Sequence, residues 1–432
     1  MRMILPSVVG LVILIGSSGV EAAALASDSP CVSKQLILNV KPDKANCFNS
    51  EEIPEGMGRL ASRELSPDTG QGGQTAQSVP TTEKKGRREK HKKSTGTPRG
   101  SIVAAPLPIV SPAIGSGIIP VLGYIFPFSK DDKISPPSVI GGAGLVTNNG
   151  SSGFGLAADL FMKKNTYEVM LVYGHGNVNY NLYGVGFDAG SAGVKLPLEQ
   201  SGQVFFGLAL RRIKWDFFIG PRFWNGDSVV NVRPTTQQTP VPPPDIGLHT
   251  TLRALGIHVS RDTRPNRFYP TKGMLFEFTS DFFATSLGSK YSFQSYRLTF
   301  NKYGTPKKNQ TFAYNFFGCA TGGEPPFYGN CIYGTNNELR GYEAGRYLDR
   351  HMFATQLEYR LSLPKKFGIA AFGGVGEVIP NGGQIFRANH FLPSVGGGPR
   401  YELSKKFHVN LRADFARGRD SWTWSMGVGE AF

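Results

Sequence analysis

The sequence predicts an all-β protein, a transmembrane antiparallel barrel of about 16 strands behind a disordered N-terminal tail. Three observations point there. The first residues read as an export signal. No later segment offers the ~20 continuous apolar residues that a membrane helix needs. From the second quarter of the chain onward, runs of roughly ten residues alternate apolar and polar between turn signals. Composition agrees: 54 glycines, 30 phenylalanines and only 18% charged residues suit many turns and aromatic anchors rather than a helical enzyme.

Residues 1–26 carry Arg2, a short apolar stretch from Ile4 to Ile15 and the small-x-small site Ala24-Leu25-Ala26, the pattern of a signal peptide. The stretch is too short to span ~30 Å of hydrocarbon at 1.5 Å per residue. Residues 27–110 read as a periplasmic tail. Pro, Gly, Ser, Thr and Gln dominate from Leu65 to Gln77, and a basic block runs from Lys84 to Lys93. Such a chain buries too little apolar surface to offset the entropy of ordering. Between Thr81 and Gly100, eight Lys or Arg stand against Glu83 and Glu89, so +8 − 2 = +6 of the total +15 sits here. Two readings stand: a solvated linker, or attraction to an anionic surface or partner.

Residues 111–432 read as the barrel, with the Pro/Ile/Gly segment from Ile102 to Pro120 leading into it. Leu357, Tyr359, Leu361 and Leu363 share one face of a strand; Gln356, Glu358, Arg360 and Ser362 share the other. Val409, Leu411, Ala413 and Phe415 likewise oppose Asn410, Arg412 and Asp414. A soluble sandwich also alternates. Many strands of similar length, with aromatics such as Tyr124, Phe126, Phe217 and Trp224 at their ends, favour a membrane with interfacial girdles. The last segment, Trp422 to Phe432, sets Trp422, Trp424, Met426, Val428 and Phe432 on one face. It reads as a closing strand with a lipid-facing aromatic terminus, and Glu430 interrupts that face.

The cysteines form two local pairs, Cys31 with Cys47 and Cys319 with Cys331. In an exported chain such pairs suggest disulfides. No C-x-x-C or histidine pair supports a metal site. A Cys319–Cys331 bridge is expected to staple a surface loop, worth roughly 3 kcal/mol in the entropic account.

Three C-terminal segments resemble the BamA/TamA-type outer-membrane assembly barrels, the bacterial surface antigen superfamily. They are Arg261-Asp262-Thr263-Arg264 with Pro270 and Gly273; Leu339-Arg340-Gly341-Tyr342; and Gly396-Gly397-Gly398 followed by Leu411 to Ala416 and the aromatic end. The resemblance covers 247–432 well and 115–233 loosely. It implies that the loop of Leu339, Arg340, Gly341 and Tyr342 folds into the lumen, where its arginine meets an acid on a nearby strand. That strand has the family pattern F-x-D-x-G, which here reads Phe372-Gly373-Gly374-Val375-Gly376. Glycine stands where the acid belongs, so Glu377, Asp414 and Glu358 are the candidate substitutes. Independently, a permanently charged guanidinium inside a barrel needs carboxylate or carbonyl partners. Pro270 and Gly273 read as a plain hairpin turn, and Asp262 and Arg264 as lumenal or rim charge pairs. Ser425, Gly427 and Phe432 match the family's C-terminal insertion signal; Glu430 departs from it.

No nucleophile elbow, H-E-x-x-H or phosphate loop is present, so neither catalysis nor a cofactor is expected. The resemblance implies a monomeric barrel in the outer membrane of a Gram-negative bacterium that assists insertion or translocation of polypeptide or lipid. Its partners would be outer-membrane lipids, lipopolysaccharide and an unfolded substrate polypeptide. Recognisable periplasmic POTRA repeats are absent from 27–110, so capture by a periplasmic partner is also expected; nucleic acid is not. A passive pore or structural surface protein is the alternative.

Overall fold

The computed structural model describes residues 100–432 except 130, 133, 234–247, 335–337 and 405–408. The expected signal peptide and most of the expected tail, residues 1–99, lie outside the described residues. So do Cys31 and Cys47, and the bridge expected between them with them. The wall begins ten residues before the expected boundary at 111. Its strands are β1 (Ser101–Ser111), β2 (Gly115–Phe126), β3 (Ser138–Thr147), β4 (Ser152–Met162), β5 (Tyr167–Leu182), β6 (Leu196–Arg212), β7 (Phe218–Val232) and β8 (Leu248–Asp262). It continues through β9 (Gly273–Phe283), β10 (Phe293–Lys307) and β11 (Gln310–Gly323). After the short β12 (Cys331–Ile332) and β13 (Leu348–Asp349) come β14 (His351–Ser362), β15 (Phe367–Ile379), β16 (Leu392–Ser404), β17 (Val409–Arg417) and β18 (Trp422–Val428).

Sixteen of these close an antiparallel barrel in which each strand pairs with its sequence neighbours, β11 pairs with β14, and β18 meets β1. β12 and β13 pair only with each other, in a small ribbon inside the long β11–β14 loop. Closure gives every wall strand a neighbour on both sides, which is what lipid demands of strands. The connections sort by length. One end carries the long segments 183–195, 233–247, 324–350 and 380–391; the other carries mostly tight turns such as 163–166, 308–309 and 363–366. We refer to these as the loop end and the turn end. The one α-helix among the described residues, α1 (Phe187–Ala192), lies in a loop-end segment.

Side chains obey the two-residue period. On β14, Gln356, Glu358 and Arg360 are buried in the lumen while Leu357 is exposed outward. Outward positions elsewhere are apolar and exposed, among them Ile118, Leu122, Ile369, Phe415, Trp422 and Trp424. The lumen itself is divided. Along β1–β7 its lining is mostly apolar: Ile119, Val121, Leu145, Val172, Leu198 and Phe206 belong to one buried cluster, with Asp159, Asn179 and Gln200 among the buried polar exceptions. Along β14–β17 it is charged.

Candidate functional site: a lumenal arginine lock

The 324–350 loop turns back into the barrel and is held along its length. Cys331, at its first ribbon strand, bonds Cys319, an inward residue of β11. Both are buried, so the disulfide clasps the loop to the lumenal wall rather than stapling a surface loop as the sequence suggested. Of the two expected cysteine pairings, this is the one found among the described residues. The pairing of Cys31 with Cys47 is not among them, because both cysteines fall in the tail outside the described residues. Tyr333 donates its hydroxyl to the Phe353 carbonyl at 2.6 Å, and Tyr342 donates to that of Pro393 at 2.6 Å. Glu343 accepts from Tyr183 and Asn181 at 2.6 and 3.0 Å. The loop therefore touches walls on both sides of the lumen.

At its tip, Gly341 takes φ +107, a conformation that a side chain would strain. This aims Arg340 at the charged wall. Its Nε donates to Gln356 Oε1 at 2.9 Å and its Nη1 to Asp414 Oδ2 at 3.0 Å, while Nη2 lies 2.5 Å from Glu358 Oε2. The guanidinium stacks on Phe372, 3.4 Å from the ring centroid. Arg340 is thus held by two hydrogen bonds, by ion pairs to two carboxylates and by the face of Phe372, the kind of partners that burial of a cation requires.

Two of the three candidate acids meet Arg340. Glu377 does not; its carboxylate instead accepts the backbone N–H groups of Phe386 and Arg387 at 2.8 and 3.0 Å, capping the 380–391 loop. Gly374 explains why the lock is re-routed. A β-carbon there would stand 2.4 Å from the Thr355 carbonyl oxygen and 2.7 Å from Leu339 Cδ1. Leu339, wholly buried, occupies the space an aspartate would fill, and β14, next to β15, and β17, two strands away on the other side, supply the carboxylates instead.

Around this pair the network widens toward the turn end. Arg360 Nε donates to Glu358 Oε1 at 2.5 Å. Arg400 bridges Asp414 Oδ1 at 2.7 Å and Glu430 Oε2 at 2.9 Å, and Arg412 donates to Asp414 Oδ2 at 2.8 Å. The sequence placed Glu430 and Phe432 on the lipid face. That is corrected: β18 ends at Val428, the chain turns at Gly429, and both residues enter the lumen. The Phe432 ring lies 5.7 and 5.8 Å from the Arg340 and Arg360 guanidinium carbons. Burying Glu430 in apolar surroundings would be costly, and its two cationic neighbours offset that. Ser425 and Gly427, opposite Asp414 and Arg412 in register, also face inward.

The 263–272 segment is more than the expected hairpin turn. Asp262 pairs with Arg264 and Arg267, each at 2.9 Å. Phe268 is buried, its carbonyl accepting the Glu430 amide at 3.2 Å, and the Pro270 carbonyl accepts Arg360 Nη1 at 3.2 Å. This segment folds under the arginine network and narrows the turn end of the lumen.

The Omp85 superfamily domain matches residues 172–429. The chain belongs to the Omp85 superfamily. Solved structures share its fold: BamA from Haemophilus ducreyi lacking POTRA domains 1-3, at 14% identity and TM-score 0.51, and CdiB from Acinetobacter baumannii, at 11% and 0.50. Each alignment covers 76% of this chain, and 69% and 59% of those two chains respectively. No curated protein matches the sequence.

One feature of this Omp85 barrel escaped the sequence reading. β1 is registered with β2 from Ser101↔Ile125 to Ser111↔Gly115, but with β18 only at Val110↔Met426. Pro106 stands opposite Pro120. Neither has an N–H, so this pair exchanges no hydrogen bonds, and the missing donor of Pro106 faces β18. Pro108, two residues on, has the same orientation. Two donors are therefore absent from the seam side of β1, where prolines are tolerated because the strand behaves as an edge. The signal was the Pro-x-Pro spacing itself.

Proposed function

We propose that this Omp85 barrel sits in the outer membrane with its turn end toward the periplasm, and assists passage or insertion of polypeptide at the β1/β18 seam. The Arg340 loop sets whether that seam holds. The carrying observation is the Arg340–Asp414 pair: the loop grips β17, the strand on which the seam strand β18 is built. The orientation follows from the short turns and long loops, which face the periplasm and the exterior respectively in barrels of this kind. A lumen crossed by the 324–350 loop and narrowed by 263–272 disfavours the passive pore.

The test is insertion of an unfolded outer-membrane barrel substrate into proteoliposomes holding the full chain. Acceleration that is lost when Val110→Cys and Met426→Cys are joined by a bismaleimide supports the proposal. Steady conductance without acceleration, indifferent to Arg340→Ala, favours the pore.

A further inference from the structure

The turn end is lined with exposed cations. Lys163-Lys164 joins β4 to β5, and Lys365-Lys366 joins β14 to β15. Lys307 ends β10 and Lys308 follows it before β11, while Arg211 lies at the end of β6 and Lys214 between β6 and β7. All are exposed. The acid in these four turns is Asp216, which is already paired with Arg212. The sequence carries a further pair, Lys405-Lys406, outside the described residues. At the loop end Lys195 lies beside Glu343 and the half-buried Arg346 beside Asp420; the turn end has its own acids in the 127–137 connection, Asp131 and Asp132, the latter tied to the Lys164 amide.

The lysines are held where turns do not favour them. Lys163, Lys164, Lys365 and Lys366 have φ of 52°, 58°, 61° and 75°. Glycine or asparagine adopts this left-handed backbone at less cost and is the usual choice in such turns. The cations also adjoin outward aromatics. Lys163 lies over Tyr167 at 5.4 Å and Lys366 over Tyr401 at 5.8 Å, while Trp215, beside Lys214, is 78% exposed. An apolar wall ending in aromatics and then in lysines is the profile of a membrane–water boundary with snorkelling cations.

We propose that this belt binds the anionic headgroups of glycerophospholipids in the leaflet around the turn end. The inference rests on the orientation given above. The four turns are spread around the circumference, so they suit a leaflet that encircles the barrel better than a compact acidic partner seated on one sector. Each cation near an anionic surface contributes an attraction equivalent to about a fivefold change in affinity.

Native mass spectrometry of the full chain released from mixed phosphatidylethanolamine and phosphatidylglycerol bilayers tests this. The variant combines Lys163→Asn, Lys164→Gly, Lys365→Asn and Lys366→Gly. Its replacements suit the turns, so the barrel keeps its fold, and the basic segment 84–93 is unchanged. The wild type is expected to retain phosphatidylglycerol over phosphatidylethanolamine, and the variant to retain at least about tenfold less. Lys290→Gln, at the loop end, is expected to match the wild type. Equal retention by the variant, no preference for phosphatidylglycerol, or a loss confined to Lys290→Gln overturns the proposal. So does dependence on the four lysines in bilayers with lipopolysaccharide replacing phosphatidylglycerol, or in binding soluble polyglutamate alone. Lipid retention is read without any insertion assay, so its failure leaves the seam proposal standing, and the reverse also holds.

Discussion

Arg340 and Asp414, 74 residues apart in sequence, meet across the lumen with Nη1 3.0 Å from Oδ2. Neither strand nor loop alone brings them together. The contact needs the 324–350 loop to be folded inward and β17 to be in register, so it reports the state of both.

Replacing Arg340 by alanine should free the loop without unfolding the wall. Glu358 keeps Arg360, and Asp414 keeps Arg400 and Arg412, so no carboxylate is left bare. The expected cost is about 2–3 kcal/mol, below that of orphaning a buried charge. Arg340→Lys should rescue little, because one ammonium cannot serve Gln356, Glu358 and Asp414 while stacking on Phe372. Faster tryptic cleavage at Arg346 and Arg350, with unchanged heat-modifiable gel mobility, is the expected result.

Restoring the family's acid at 374 should harm this protein. Gly374→Asp forces a β-carbon against the Thr355 carbonyl and Leu339, an overpacking cost of about 1–3 kcal/mol before any charge is considered. Gly374→Ala should show most of that loss in urea unfolding. A stabilised Gly374→Asp would mean that Leu339 can leave without penalty.

Much of this site was legible because two-residue alternation survives along β14 and β17. Gln356, Glu358, Arg360 and Asp414 could be placed inward from sequence alone. The same rule misplaced Phe432, since alternation presumes that the strand continues, whereas it ends at Val428 and the chain turns inward. Glu377 was a reasonable candidate by position, but the 380–391 loop claims its carboxylate. The first strands were hard to see for another reason. On β2, Ile119, Val121 and Ile125 face a lumen that is itself apolar, while Ile118, Leu122 and Tyr124 face outward. With both faces apolar, the alternation that marks a barrel strand is gone. Pro106 and Pro108 then argue against a strand unless it is an edge.

Removing the disulfide with Cys319→Ser and Cys331→Ser should loosen the loop by about 3 kcal/mol on the entropic account. Tyr333 and Tyr342 still anchor it, so the expected phenotype is increased proteolysis within 324–350 and not loss of the barrel. Unchanged cleavage would show that the tyrosines alone suffice.

At the turn end, Asp132 ties the 127–137 loop to the neighbouring turn. Its carboxylate accepts the amides of Ser135, Lys164 and Ile134 at 2.9, 2.6 and 3.0 Å and the Ser135 hydroxyl at 2.7 Å. These bonds, led by the Ser135 and Lys164 amides, hold its carboxyl well below the usual carboxylate range. A depressed value stabilises the folded loop above the unfolded pKa of about 3.9, and that stability is lost as pH falls through the folded value. Exchange protection of the Ser135 and Lys164 amides should therefore be flat from about pH 8 to 5 and fall only in strong acid. Loss of protection on raising the pH would contradict this, and Asp132→Asn should show weaker protection at neutral pH.

The central claim is that the Arg340 loop holds the seam. Its direct measure is the bismaleimide crosslinking yield of Val110→Cys with Met426→Cys, in the presence and absence of Arg340→Ala. The two positions are partners in the closed seam. Releasing the loop from β17 is predicted to lower the yield severalfold. A yield unchanged by Arg340→Ala, with the loop shown by proteolysis to be free, would contradict the account.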